Sequence, residues 1–187
     1  MKKLFGAVLL AALALAACGA GTSSSSAAPS AAPSVGESAN DILARGLAAH
    51  TAGRIDEAIV LYHQTLAKDP ANQFAFFNLG EIAHRRNQLV AAEAWYRLAL
   101  ENDKNMPSAL YNLALVRQSV GDSTESVALL RRLITSDPNN GSAHYNLGLA
   151  LRSLGQTTEA NNEFATAQRL DARLVPPTGS PRPTPTR

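Results

Sequence analysis

Along residues 39–174 the apolar and small positions repeat with a step of 34. Gly46, Gly80, Ala114 and Gly148 lie on one register of that step, Ala58, Ala92, Ser126 and Ala160 on a second, and Tyr62, Tyr96, Leu130 and Phe164 on a third. A fourth register holds Gly53, Asn87, Gly121 and Gly155. The step is kept without insertion, which divides the stretch into units 39–72, 73–106, 107–140 and 141–174. A fixed period of this length marks an array in which one unit cannot bury its own apolar face and neighbours stack to do so. Outside the array the pattern changes. Leu4 to Ala17 is an uncharged apolar run behind Lys2 and Lys3. It is too short for a transmembrane helix, which needs about 20 residues, and suits a secretory leader. Residues 18–38 are small, polar and nearly uncharged, with Pro29 and Pro33, and predict a flexible tether. Residues 175–187 (VPPTGSPRPTPTR) predict an extended or disordered proline-rich tail.

The repeating unit resembles the tetratricopeptide repeat. The resemblance implies an all-α fold, a right-handed α-solenoid of four helix-turn-helix units. With Ala39 as position 1, the small residues at positions 8 and 20 would let the two helices of a unit approach closely. Large apolar residues at positions 4, 7, 24 and 28 would fill the space around them; Phe76, Leu79, Tyr96 and Leu100 in the second unit fit best. The first helix of a unit spans about fourteen residues, such as 73–86, and the second follows the turn at Gly53 and its equivalents. Ser38 with Asp41 is a capping arrangement for the first helix. Pro70 and Pro138 stand where the family breaks its second helix, Lys104 and Ala172 replace them, and Pro107 opens the third unit, where proline is tolerated. Arg45 replaces the leucine of Leu79, Leu113 and Leu147, as suits an end unit. Asn161 and Gln168 make the last helix polar, and Pro176 and Pro177 follow at once. The array is therefore expected to end at the fourth unit, which caps itself.

Arrays of this family bind peptides or partner helices on the concave face lined by the first helices, at positions 2, 5, 6, 9, 12 and 13. Here that assigns Phe77, Tyr111 and Tyr145 as aromatic anchors and Asn78, Asn112 and Asn146 as a carboxamide ladder suited to a peptide backbone. Glu81, Leu115, Arg85 and Arg152 complete the candidate partner-binding set. The same asparagines and aromatics recur in this repeat generally, and a purely structural role in the hairpin is the competing reading. Leu43 with Leu47, or Phe77 with Glu81, replaces the lysine and asparagine of chaperone-tail clamps, which favours a hydrophobic or neutral peptide over an acidic terminus.

Leu15-Ala16-Ala17-Cys18 resembles the lipobox of bacterial lipoproteins. The resemblance implies diacylglyceryl transfer to the Cys18 thiol, cleavage before Cys18, and a signal peptide spanning 1–17. Two or three acyl chains give stable anchoring. The tether would then hold the array off the membrane, spanning about 25 Å as a coil and at most about 70 Å. Gly19, where an aspartate would favour the inner membrane, points to the periplasmic face of an outer membrane, or otherwise to the outer face of the cytoplasmic membrane.

Composition changes this picture only by exclusion. A formal charge of +2 is too small to mark a nucleic-acid binder, and it leaves with Lys2 and Lys3. A single cysteine excludes an internal disulfide and a cysteine-based zinc cluster. His50, His63, His84 and His144 form no ligand pair on one helical face, and no nucleophile motif or phosphate loop occurs. The expectation is a non-enzymatic, lipid-anchored envelope scaffold with no cofactor, no metal and no nucleic acid, its partner a protein or peptide in the groove. An assembly factor of the pilotin kind and an accessory to cell-wall enzymes are the alternatives.

Overall fold

The computed structural model describes residues 36–177. The leader, Cys18, most of the tether and residues 178–187 lie outside the described residues. Among the described residues there are eight helices and no strand: α1 (Ala39–Thr51), α2 (Ile55–Lys68), α3 (Gln73–Arg85), α4 (Leu89–Asn102), α5 (Pro107–Ser119), α6 (Ser123–Ser136), α7 (Gly141–Ser153) and α8 (Thr157–Leu170). Each 34-residue unit holds one helical hairpin. The odd-numbered helices form one row, in which α3 touches α5 and α5 touches α7. This is the all-α solenoid that the period implies.

The turns explain the fourth register. Gly53, Asn87, Gly121 and Gly155 have φ of +76°, +56°, +86° and +76°. In each hairpin the next residue's N–H reaches back five residues, as from Arg54 to the Ala49 carbonyl at 2.9 Å and from Gln88 to the Ala83 carbonyl at 2.9 Å. That is the Schellman closure, which requires a left-handed residue and favours glycine.

Helix starts follow position 34. Ser38 and Asp41 form a reciprocal capping box on α1. The side chains of Asn72 and Asn140 accept from the Ala75 and Ala143 N–H groups at 3.0 and 2.9 Å. Met106 offers no such oxygen, and Pro107 at the first turn removes one donor instead.

Inside three of the four hairpins an aromatic ring lies where a glycine has no Cβ. A Cβ built on Gly46 would stand 2.8 Å from the Tyr62 ring, on Gly80 2.7 Å from Tyr96, and on Gly148 2.7 Å from Phe164. The three rings are 0–2% exposed. The one unit with alanine on that register, Ala114, carries Leu130 instead of a ring, and both are buried. Ring size on the second helix therefore sets residue size on the first. Burying such a side chain stabilises the fold by about 1.5–3 kcal/mol. Trp95 stacks on Phe76 of its own hairpin at 6.0 Å and meets His63 of the preceding hairpin edge-on at 5.9 Å.

The ends differ from the expectation in one respect. At the start, Arg45 forms a two-pronged pair with Glu37 at 3.0 and 2.9 Å. At the other end the fourth unit does not cap itself alone. Leu174 packs toward Gly141, and Arg152 Nη1 donates to the Pro177 carbonyl at 2.9 Å. One unit earlier, Gln118 Nε2 donates in the same way to the Asn146 carbonyl on α7 at 2.8 Å. The chain after α8 thus receives the bond that a following helix would otherwise receive.

Candidate partner-binding groove

On the side formed by α3, α5 and α7 the surface opens into a cleft of about 410 Å³. Its lining is Phe77 and Glu81 from α3, Pro107, Ser108, Tyr111 and Asn112 from α5, Asn140 before α7 and Ser142 in its first turn. Phe77 is held by the buried Tyr96 ring, 5.9 Å away. The Tyr111 hydroxyl accepts from Asn146 Nδ2 at 2.9 Å. Burial raises its pKa, so it stays a neutral hydroxyl at physiological pH. Glu81 pairs with Arg85 one turn on. That pair is partly solvated, with Arg85 the more exposed at 65%. The cleft thus combines two aromatic faces, hydroxyls, two carboxamides and one carboxylate. It suits an uncharged or cationic extended chain.

The ten candidate residues do not all converge here. Phe77, Glu81, Tyr111 and Asn112 line the cleft, and Asn146 and Arg85 support it through Tyr111 and Glu81. Asn78 is 7% exposed and spends its amide on the Phe74 carbonyl at 2.7 Å. Asn146 likewise donates to the Ser142 carbonyl at 2.9 Å. These amides close on their own helix one turn back, so the expected ladder of donors is not presented to a ligand. Leu115 is half-buried and does not line the cleft. Tyr145 stands edge-on to Phe164 at 5.6 Å, and the Arg152 guanidinium lies 5.5 Å from the centre of the same ring. Tyr145 and Arg152 therefore belong to a separate cluster at the end of the array. Ser108 and Ser142 were legible, since both occupy position 2 of the concave set; Pro107 and Asn140 fall at positions 1 and 34, outside that set, and only Pro107 carries a sequence signal, as a helix start.

A second hollow of about 500 Å³ lies among α4, α5 and α6. Its Arg97 and Glu125 are already paired with each other at 2.7 Å. Arg117 joins Glu93, Asp122 and Glu125 at 2.7, 2.6 and 2.7 Å in the same network. The Asp122 carboxylate is held below its ordinary range by the N–H of Glu125 and by Arg117. For Glu93, burial works upward but is outweighed by Arg97 and Arg117, and its pKa is lowered. His144 Nδ1 lies 2.6 Å from Glu163 and Nε2 lies 3.0 Å from the Pro138 carbonyl, so both ring nitrogens are engaged. Among the described residues no three histidine, cysteine or acidic side chains converge as metal ligands, and no helix is long and apolar enough to cross a membrane.

The chain belongs to the tetratricopeptide repeat family, whose profile matches residues 43–107 and 111–173. No curated protein sequence matches it. Among solved structures, it is similar to YrrB, described as a tetratricopeptide-repeat protein with an unusual peptide-binding site. The TM-score is 0.68 at 19% identity over 72% of this chain and 69% of that one. It is similar also to MamA, with TM-score 0.66 at 22% identity over 72% of this chain and 79% of that one. A MamA double mutant gives 0.65 at 16% identity over 72% and 76%. These likenesses establish the shared fold.

Proposed function

We propose that this protein is a non-catalytic scaffold that holds an extended segment of a partner protein in the α3–α5–α7 cleft, and that it does so anchored to a membrane through lipid on Cys18. The observation that carries the first half is the convergence of Phe77, Tyr111, Asn112 and Glu81 on one open cleft. Two aromatic faces supply apolar anchors with few rotamers to freeze. Ser108, Ser142 and Asn112 supply hydrogen-bonding groups for a peptide backbone. The description of a peptide-binding site in YrrB supports the reading by analogy of fold. The anchoring half rests on the Leu15-Ala16-Ala17-Cys18 sequence and the small, polar residues that follow.

Crosslinking from the cleft in intact cells, read by mass spectrometry, identifies the partner. Tyr111→Ala with Asn112→Ala removes one aromatic face and one carboxamide. Partner recovery in a pull-down is expected to fall at least about tenfold, the effect of losing one central anchor. Recovery equal to the parent, with helical content retained, sinks the groove reading.

For the anchor, Cys18→Ser is expected to move the protein from the membrane to the soluble fraction. Unchanged fractionation, with no acyl mass on the parent chain, overturns that half and leaves the groove untouched.

A further inference from the structure

We propose that the hollow among α4, α5 and α6 is a second docking site, and that it takes an aromatic side chain of a partner protein flanked by acidic residues. The hollow shares no lining residue with the α3–α5–α7 cleft, and the proposal stands independently of the groove reading.

Its first support is a comparison inside the array. Leu113, Leu129, Arg97 and Glu125 line this hollow of about 500 Å³. One step of 34 earlier, the same registers hold Leu79, Trp95, His63 and Ala91. Those four line a hollow of only about 110 Å³ where the first two hairpins meet. There the Trp95 indole fills the junction, stacked on Phe76 at 6.0 Å and edge-on to His63 at 5.9 Å. At the next junction the registers of Phe76, Trp95 and His63 carry Leu110, Leu129 and Arg97. Two leucines and a guanidinium replace three rings. Space that an indole fills at one junction therefore stands open at the other. Apolar walls without neighbours forgo dispersion contacts, and a ring seated between Leu113, Leu129 and Leu100 restores them. The volume also lies within the range of about 300–1,000 Å³ usual for ligand sites.

The rim is the second support. Arg97, Lys104 and Arg132 stand on it with Glu101 and Glu125. Arg97 and Glu125 are paired at 2.7 Å. That leaves Lys104 and Arg132 against Glu101, an excess of one positive charge. Lys104 and Arg132 are exposed, and Arg132 donates to the Lys104 carbonyl, which keeps the two cations on the same part of the rim. Lys104 takes the register at which Pro70 and Pro138 break their helices, so the departure from the repeat supplies a charge at this rim. Arg97 spends its N–H groups on Glu93 and Glu125, and the flat face of a guanidinium so engaged still stacks on a ring. An apolar hollow with a cationic rim selects an aromatic residue beside carboxylates. The cleft, with Glu81 on its wall, selects against acidic segments. Two sites of opposite preference on two faces let one array bridge two partners.

The test titrates the isotope-labelled full chain with the peptide acetyl-Asp-Trp-Glu-amide, followed by NMR amide shifts. Shifts clustered on residues 97–104, 113 and 125–132 are expected, with a Kd of about 1 mM or tighter. The peptide acetyl-Lys-Trp-Lys-amide should bind more weakly by at least about fivefold, and Lys104→Glu should cost the acidic peptide about as much. Leu129→Trp, which copies Trp95 into the hollow, should abolish the shifts while the helical content and the unfolding midpoint are kept or raised. The Tyr111→Ala with Asn112→Ala variant should bind the acidic peptide as the parent does. No clustered shifts, equal binding of the two peptides, or unchanged binding by a folded Leu129→Trp chain overturns the proposal. Shifts of the same residues on raising the protein concentration alone would assign the hollow to a second copy of the chain and overturn it too. So would shifts produced by octanoate and not by the peptide, which would assign it to an acyl chain.

Discussion

Gly80→Ala is expected to destabilise the array by about 2 kcal/mol, measured by urea unfolding followed by circular dichroism. The new Cβ would lie 2.7 Å from two atoms of the Tyr96 ring. That ring is fully buried and has no free end to swing away. Overpacking of this kind costs about 1–3 kcal/mol. It works against the gain of up to about 1 kcal/mol that alanine brings to a helix interior. The argument has an internal control, because Ala114 is accommodated opposite Leu130. In a Tyr96→Leu background the same Gly80→Ala change should therefore be neutral or stabilising. A coupling of more than about 1 kcal/mol between the two sites is the expected result. Additive losses would show that the glycine register serves something other than the ring.

Arg117→Met is expected to cost about 2 kcal/mol at neutral pH and much less near pH 3. Arg117 is 18% exposed and serves Glu93, Asp122 and Glu125. Its Nε faces Glu125 at 2.7 Å as an ion pair without hydrogen-bond alignment. Removing the cation leaves three partly buried carboxylates facing one another, with only Arg97 to offset them. Charge-assisted hydrogen bonds contribute about 1.5–3 kcal/mol each, reduced here by partial exposure. The pH dependence follows from the lowered pKa values of Glu93 and Asp122. A carboxylate whose folded pKa lies below its unfolded one stabilises the fold fully above the unfolded value, about 4. That stability is lost as pH falls through the folded value. The parent should therefore weaken as pH falls from about 5 toward 2, and the variant should track a flatter curve. A constant gap between the two at pH 7 and pH 3 would exclude the network as its source.

How far the sequence discloses this molecule depends on whether a contact obeys the period. The hairpins do. Gly53, Asn87, Gly121 and Gly155 repeat because each closes a helix with positive φ, and the ring-against-glycine contacts repeat because each hairpin packs alike. The groove is partly legible for the same reason, since Phe77 and Tyr111 share position 5 and do meet at one cleft. Tyr145 shares it too, yet among the described residues no further helix follows α7 in that row, and it turns to Phe164. Asn78 was hidden by a bond within its own helix, to the Phe74 carbonyl. Such a bond leaves no trace in spacing. Glu93, Arg117, Asp122 and Glu125 occupy four unrelated positions of two units, so no periodic reading could gather them.

The fit between Gly80 and Tyr96, or Ala114 and Leu130, also fixes what can be exchanged between units. Copying or swapping a whole hairpin carries both halves of the pair and preserves the fit. A crossover at the turn, between Asn87 and Gly121, would instead seat Ala114 against Tyr96 and leave Gly80 facing Leu130. One junction would be overfilled and the other hollow. The heritable module of this array is therefore the hairpin, and its tight turns are where recombination is least tolerated.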